Sequence, residues 1–240
     1  MNTEEHIQIN DLRIDVIRKD IKNMHLAVYP PTGRLRLSAP NRTDDEVLRL
    51  FAISKISWIR KHIKNFKRQE RESPREFVSG ESHYLFGKRF MLEVAEGKQN
   101  GVQKKGQKKL TLTMRPGHDL AARTRVMREW YRSELKAVLP ELIRQWEKVI
   151  GVKAASWGVQ RMTTKWGACN IENKRIWLNL ELAKKPQICI EYIIAHELIH
   201  LHERHHNARF IELMTKFMPK WRQNRKVLND LPVAHEEWEY

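Results

Sequence analysis

The run IIAHELIHLHERHHNARF, Ile193–Phe210, holds five of the chain's 11 histidines. One spacing inside it restricts the fold more than any other feature. His196 and His200 are four residues apart, with Glu197 beside the first. On an α-helix, residues i and i+4 lie one above the other on the same face. The preceding ICIEYIIA is apolar, so the segment reads as a helix buried along most of its length. Two stacked imidazoles can reach one tetrahedral metal ion, with Zn–N distances of about 2.0–2.1 Å. Glu197 is rotated from His196 by about 100°. Its carboxylate is therefore placed to act on a metal-bound water rather than on the metal itself. From the chain's His and Glu frequencies, about 0.03 matches to this pattern are expected by chance, which favours a catalytic metal site over ornamental histidines.

A catalytic zinc keeps three protein ligands and one open position. His202, Glu203, His205, His206 and Glu212 are the candidates for the third. His202 points to another side of the helix. Glu203 is three residues after His200 and could approach the same face. A ligand supplied after a turn, as the chain folds back, favours His205 or His206, and spacing alone does not separate them.

The 240 residues are enough for one large or two small domains with a real core. Hydrophobic residues make up 41%, which argues against disorder. The net charge of +16 suits polyanionic partners, nucleic acid or acidic substrates. It is divided as +9 in residues 1–120 and +7 in 121–240, so no single basic tail carries it. Two cysteines, Cys169 and Cys189, exclude a disulfide scaffold and a Cys₄ zinc finger. MNTEEHIQIN lacks the apolar core of a signal peptide, and no apolar run approaches the ~20 residues of a membrane span. The expectation is a soluble, cytoplasmic protein.

IQINDLRIDVIRKDI carries alternating apolar positions. Met24–Ser38 reads as a β-hairpin turning at PPTG. Thr43 and Glu46 fit a capping box opening a helix with Val47, Leu50, Phe51, Ile59, Ile63 and Phe66 on its apolar face. That helix ends in the basic run Arg60, Lys61, Lys64, Lys67, Arg68 and Arg71, a solvated face or a phosphate-tracking surface. SPREFVSGES reads as a connection. YLFGKRFMLEVA and KKLTLTM read as strands, with EGKQNGVQKKGQ between them as a mobile hairpin tip. Asp119 to about Val149 is amphipathic, with a kink or break expected near Leu139 because Pro140 follows. ASWGVQRM and RIWLNLEL read as short strands. Pro186 suits the first turn of the histidine helix. No internal repeat is evident.

The chain resembles the YgjP-like family of zinc metallopeptidases over nearly its whole length. APNRTDDEVLRLFAISKISWIRKHI looks like that family's N-terminal helix, with its tryptophan at Trp58. FVSGESHYLFGKRFMLEV resembles the glycine-marked strand pair that follows. MTTKWGACNIENKRIWLNLELAKKPQICIEYIIAHELIHLHERHHNARF resembles the family core, a Trp-Gly-Ser-Cys-like turn, a Leu-Asn strand, His-Glu-x-x-His and a histidine ten residues on. The resemblance implies His196, His200 and His206 as ligands to Zn2+, Glu197 as the base, and Phe210 as the aromatic closing the motif. Lys165 stands where the family usually has arginine, and Ala168 where it has serine.

The resulting expectation is an α+β fold, a zincin-like unit of small sheet plus active-site helix with an N-terminal β-hairpin/helix region. Its expected regions are 1–75, 76–118 and 119–240. RIWLNLEL is the expected edge strand for an extended peptide substrate. Lys165, Trp166, Asn179 and His205 are the expected substrate contacts. Lys165, His202 and His205 are the candidate oxyanion donors. Cys169 is expected to be an inert, buried thiol. The leading function is a zinc-dependent peptidase. The alternatives are a metal-dependent hydrolase of nucleotides or other phosphoanhydrides, and a DNA-associated protease like the SprT-like zinc peptidases, which share this motif style.

Overall fold

Period-two burial opens the chain. Ile7, Ile9, Leu12, Ile14 and Val16 are buried, and the two-residue turn at Asn10-Asp11 keeps them on one face. Asn10 adopts a left-handed φ of 51°, which Asn tolerates better than most residues. The computed structural model describes residues 5–29, 33–68 (side chains to 64), 75–162 and 165–231. Strands β1 (Glu5–Ile9) and β2 (Leu12–Lys19) form one antiparallel hairpin, β3 (His25–Tyr29) and β4 (Arg34–Pro40) a second. The turn residues 30–32 lie outside the described residues. β2 and β4 pair in parallel, giving the order β1-β2-β4-β3.

Helices α1 (Asp45–Ser54) and α2 (Ile56–Arg68) follow, separated at Lys55. The expected capping box is not formed. Asp44 is the N-cap, and the Thr43 carbonyl and the Asp45 carboxylate both accept from Arg18. The buried face matches the expected one in part. Ile59 is covered and Phe51 and Ile63 pack against the core, as expected, but in α1 Leu48 and Ala52 are covered whereas Val47 and Leu50 are exposed. The packing of α1 on β1 selects the Leu48–Ala52 stripe over its neighbour. The side chains of Phe66, Lys67 and Arg68, and all of Arg71, lie outside the described residues.

The chain divides into two compact units, 1–70 and 71–240. The second opens with β5 (Ser82–Leu85), β6 (Lys88–Glu96), β7 (Gly101–Lys105) and β8 (Lys109–Met114), in the order β5-β6-β8-β7. The expected mobile tip is therefore a strand. β7 pairs antiparallel with β8, with Val102 opposite Leu112, while β6 and β8 run parallel. This reproduces the first unit's strand order and directions, and in both units a helix with an aspartate N-cap follows. The repeat is invisible as residue identity. Ile14, Val16, Leu35 and Leu37 correspond in burial to Phe90, Leu92, Leu110 and Leu112, because a sheet face requires apolar alternation rather than particular side chains.

The long helix α3 (Leu120–Ile150) starts at Asp119, whose carboxylate accepts from Ala122 N, and ends at left-handed Gly151. Pro140 does not break it. The Lys136 carbonyl loses its helical donor there, but both residues face solvent and water can serve it. A three-stranded sheet follows, β9 (Ser156–Gln160), β10 (Gly167–Asn170) and β11 (Arg175–Asn179), in the order β10-β11-β9. The RIWLNLEL segment is thus the central strand, and it passes into a 3-10 turn at Leu180. The edge strand beside α4 is β10.

α4 (Gln187–Ile199) carries the histidine motif, with Pro186 at its N-cap. It packs against α3, β10, β11, α5 (Ala208–Phe217) and α6 (Trp221–Asp230). Partners on most sides explain its nearly unbroken apolar sequence. The fold is α+β, as expected. Among the described residues, no helix is long and apolar enough to cross a membrane.

Candidate metal centre

α4 ends at His200, just after the i, i+4 pair has been presented on one face. The chain then turns through residues 201–207 and re-enters a helix at Asn207, whose side chain accepts from Phe210 N. This return brings His206 back over the end of α4. Its Nε2 lies 2.9 Å from His196 Nε2. The candidate ligand atoms of His196, His200 and His206 all lie within 4.8 Å of one another. Of the two histidines that spacing left open, His206 is the one whose ring joins this cluster. His205 is exposed, and its backbone N–H donates to the Glu203 carboxylate.

The surrounding contacts orient the rings. His200 Nδ1 is 3.0 Å from the Glu203 carbonyl, so it carries the proton and leaves Nε2 as the free lone pair. Phe210, only 4% exposed, backs all three imidazoles, with ring centroids at 5.0, 4.8 and 4.8 Å from those of His196, His200 and His206. This apolar floor shields the inner side of the cluster, while His206 closes it from the solvent side. Burial lowers the proton affinity of all three, and adds to their mutual repulsion at His196, which falls to about 3. Three neutral imidazoles with convergent lone pairs fit a borderline divalent cation such as zinc.

Glu197 lies outside the cluster and is 4% exposed. Burial pushes its carboxyl up to about 8, with Lys165 pulling the other way. Its neighbour across the sheet edge is Gly167, the first residue of β10. A Cβ there would sit 2.5 Å from Glu197 Oε1 and 2.8 Å from Ile193 Cγ2. Any side chain at this position would have to displace Glu197 or Ile193, and glycine avoids that.

A cleft of about 560 Å³ opens over these groups, bounded by β10, α4, the 200–206 turn and α6. Lys165 and Trp166, two of the residues expected to contact substrate, line it. Cys169 lines it too, its thiol pushed up to about 11 by burial and then by Glu197, which leaves it an inert thiol at neutral pH. Two expected contacts are not there. Asn179 is 4% exposed, and its amide donates to the Met162 and Lys165 carbonyls at 2.8 and 2.7 Å. It braces the segment carrying Lys165 and Trp166 instead of facing the cleft. His205 does not line the cleft, and neither does His202, whose Nε2 lies 3.2 Å from the Ile150 carbonyl.

Sequence reasoning missed Tyr192, Arg204 and Arg225, all of which line the cleft. Tyr192 had a signal, being four residues before His196 on the same helix face. Arg225 had none, because its place depends on how α6 packs against α4.

No curated protein matches the chain. Among solved structures, the metallopeptidase zymogen of Pyrococcus abyssi abylysin is similar at a TM-score of 0.35 and 16% identity, over 37% of this chain and 90% of that one. The model of the YgjP-like metallopeptidase domain matches residues 22–231, across both compact units and the whole histidine cluster. The chain belongs to the YgjP-like metallopeptidase family, and is a metal-dependent hydrolase.

Proposed function

We propose that this protein is a zinc-dependent peptidase in which His196, His200 and His206 hold the ion and Glu197 is the general base. The observation that carries the reading is the division of labour in the cleft. Three imidazoles converge, two of them half-buried and His206 at the solvent side, and one buried carboxylate stands next to them without joining them. A bound zinc ion supplies a Lewis acid that polarises a carbonyl and brings the pKa of a bound water to about 7. Glu197 takes the proton from the attacking water and passes it to the departing amine. The approach of Gly167 fixes the carboxylate's position, and the free edge of β10 offers backbone groups to an extended peptide.

Lys165, Arg204 and Arg225 make the cleft cationic, which favours phosphoanhydride hydrolysis as a second reading. A panel of casein-derived peptides and nucleoside triphosphates, run with zinc-loaded and metal-stripped protein, separates the two. Metal-dependent peptide cleavage is expected. Turnover of triphosphates alone would replace the first reading by the second, and equal turnover by stripped protein would overturn both.

Gly167→Ala tests the positioning of the base. The added methyl must displace the Glu197 carboxylate, and misplacement of a catalytic group by about 1 Å can cost ~100-fold in rate. Turnover should fall by about that factor with metal affinity close to wild type. Unchanged turnover would show that the approach of β10 does not set the carboxylate.

A further inference from the structure

The cleft holds a surplus of positive charge that a metal centre by itself does not call for. Lys165, Arg204 and Arg225 line it, against a single carboxylate, Glu197, which is buried. Cations beside a dication site weaken the binding of that dication. An arrangement with this cost is offset when the ligand that arrives is an anion.

Arg225 is the most specifically placed of the three. On α6, the residues reaching the cleft are Arg225, Leu228 and Asn229, at the i, i+3, i+4 spacing of one helix face. Leu228 is buried in the core and anchors that face, while Arg225 remains exposed at the cleft wall. The neighbouring cations of α6 are otherwise engaged. The Arg222 guanidinium lies 4.5 Å from the centre of the Trp221 ring, and Lys226 pairs with Asp230 at 2.6 Å. Among the described residues, Arg225 has no carboxylate partner. Arg225 shares the lining of the cleft with His196, His200 and His206, so its guanidinium faces the same space as the histidine cluster.

We infer that Arg225 is a substrate-binding residue, holding an anionic oxygen group of the substrate, carboxylate or phosphate, beside the metal. Guanidinium suits the task because its planar fork binds two oxygens of either group at once. Arg204 and Lys165 extend the same field along the cleft. Binding energy drawn from the anion then orients the bond to be broken over Glu197. This assignment rests on the metal reading of the histidine cluster and adds a substrate class to it.

The test uses the full chain loaded with cobalt(II), whose visible absorption reports the arrival of an anion at the metal without any turnover. Inorganic phosphate and N-acetylglycine are titrated into wild type, Arg225→Met, Arg225→Gln and Arg225→Lys. The dissociation constant for the preferred anion should rise about 10-fold or more in the Met and Gln variants, in the range of a lost charge-assisted hydrogen-bonded pair. The Lys variant should fall between. Cobalt affinity should be unchanged or tighter, since a positive charge has been removed. Tighter binding of N-acetylglycine identifies a peptide's terminal carboxylate as the group held, and tighter binding of phosphate identifies a phosphoryl group. Equal anion affinity in wild type and variants, with cobalt bound, overturns this assignment alone. Failure of the wild type to bind cobalt overturns the metal reading and takes the assignment with it.

Discussion

Glu197→Gln should lower kcat by about 10²–10⁴-fold, the usual contribution of a general base, while the purified protein keeps its metal. The amide preserves the side chain's shape in the narrow space against Gly167 but cannot accept the proton. The three imidazoles are untouched, so metal content by elemental analysis should match wild type. Full activity would remove Glu197 from the mechanism, and loss of metal would place it among the ligands. The same variant has a signature free of turnover. Burial raises the Glu197 pKa from 4.5 to about 8 in the metal-free protein. A raised folded-state pKa means that stability is fully present below pH 4.5 and declines as pH rises towards 8. Thermal melts of metal-stripped protein should therefore show a smaller loss of Tm between pH 5 and pH 8 in the Gln variant than in wild type. Parallel losses would show that the carboxylate is not held in a desolvated position.

His206→Ala should weaken zinc binding by at least about 10-fold, the lower end of what even an orienting partner of a metal ligand contributes. His205→Ala should leave it unchanged. The two residues are adjacent in sequence, yet His206 Nε2 lies 2.9 Å from His196 Nε2 and His206 lines the cleft, whereas His205 does not. Competition with a chromophoric chelator measures both affinities. Because a metal that binds only the folded state stabilises it, the Tm gain on adding zinc should also shrink in the His206 variant. If the His205 variant alone loses zinc, the return of the chain after His200 has been read in the wrong register.

The Glu197 and His206 experiments examine different kinds of knowledge. His196, Glu197 and His200 sit on one helix, where 3.6 residues per turn converts spacing into geometry without reference to the rest of the chain. Their mutual placement was legible for that reason, as were the period-two strands Ile7–Val16 and Leu35–Leu37. Where a pattern supported two readings, local rules misled. Val47 and Leu50 satisfy helical spacing as well as Leu48 and Ala52 do, and only the packing against β1 distinguishes the two stripes. Val102 lies in a polar, glycine-bearing stretch, and its strand exists because β8 offers it an edge. Asn179 alternates correctly for a cleft-facing residue, but its strand is central and its amide is consumed by the Met162 and Lys165 carbonyls.

The sequence by itself determined the α+β class, the helix that carries the motif, and two imidazoles with a neighbouring carboxylate on it. Each follows from interactions within a few residues. Tertiary structure alone decided that His206 returns to the pair and His205 does not, that Gly167 presses a strand edge against Glu197, and that Arg225 reaches the cleft from α6. Those placements depend on contacts between elements distant in sequence or on the path of a turn, and no local periodicity encodes either.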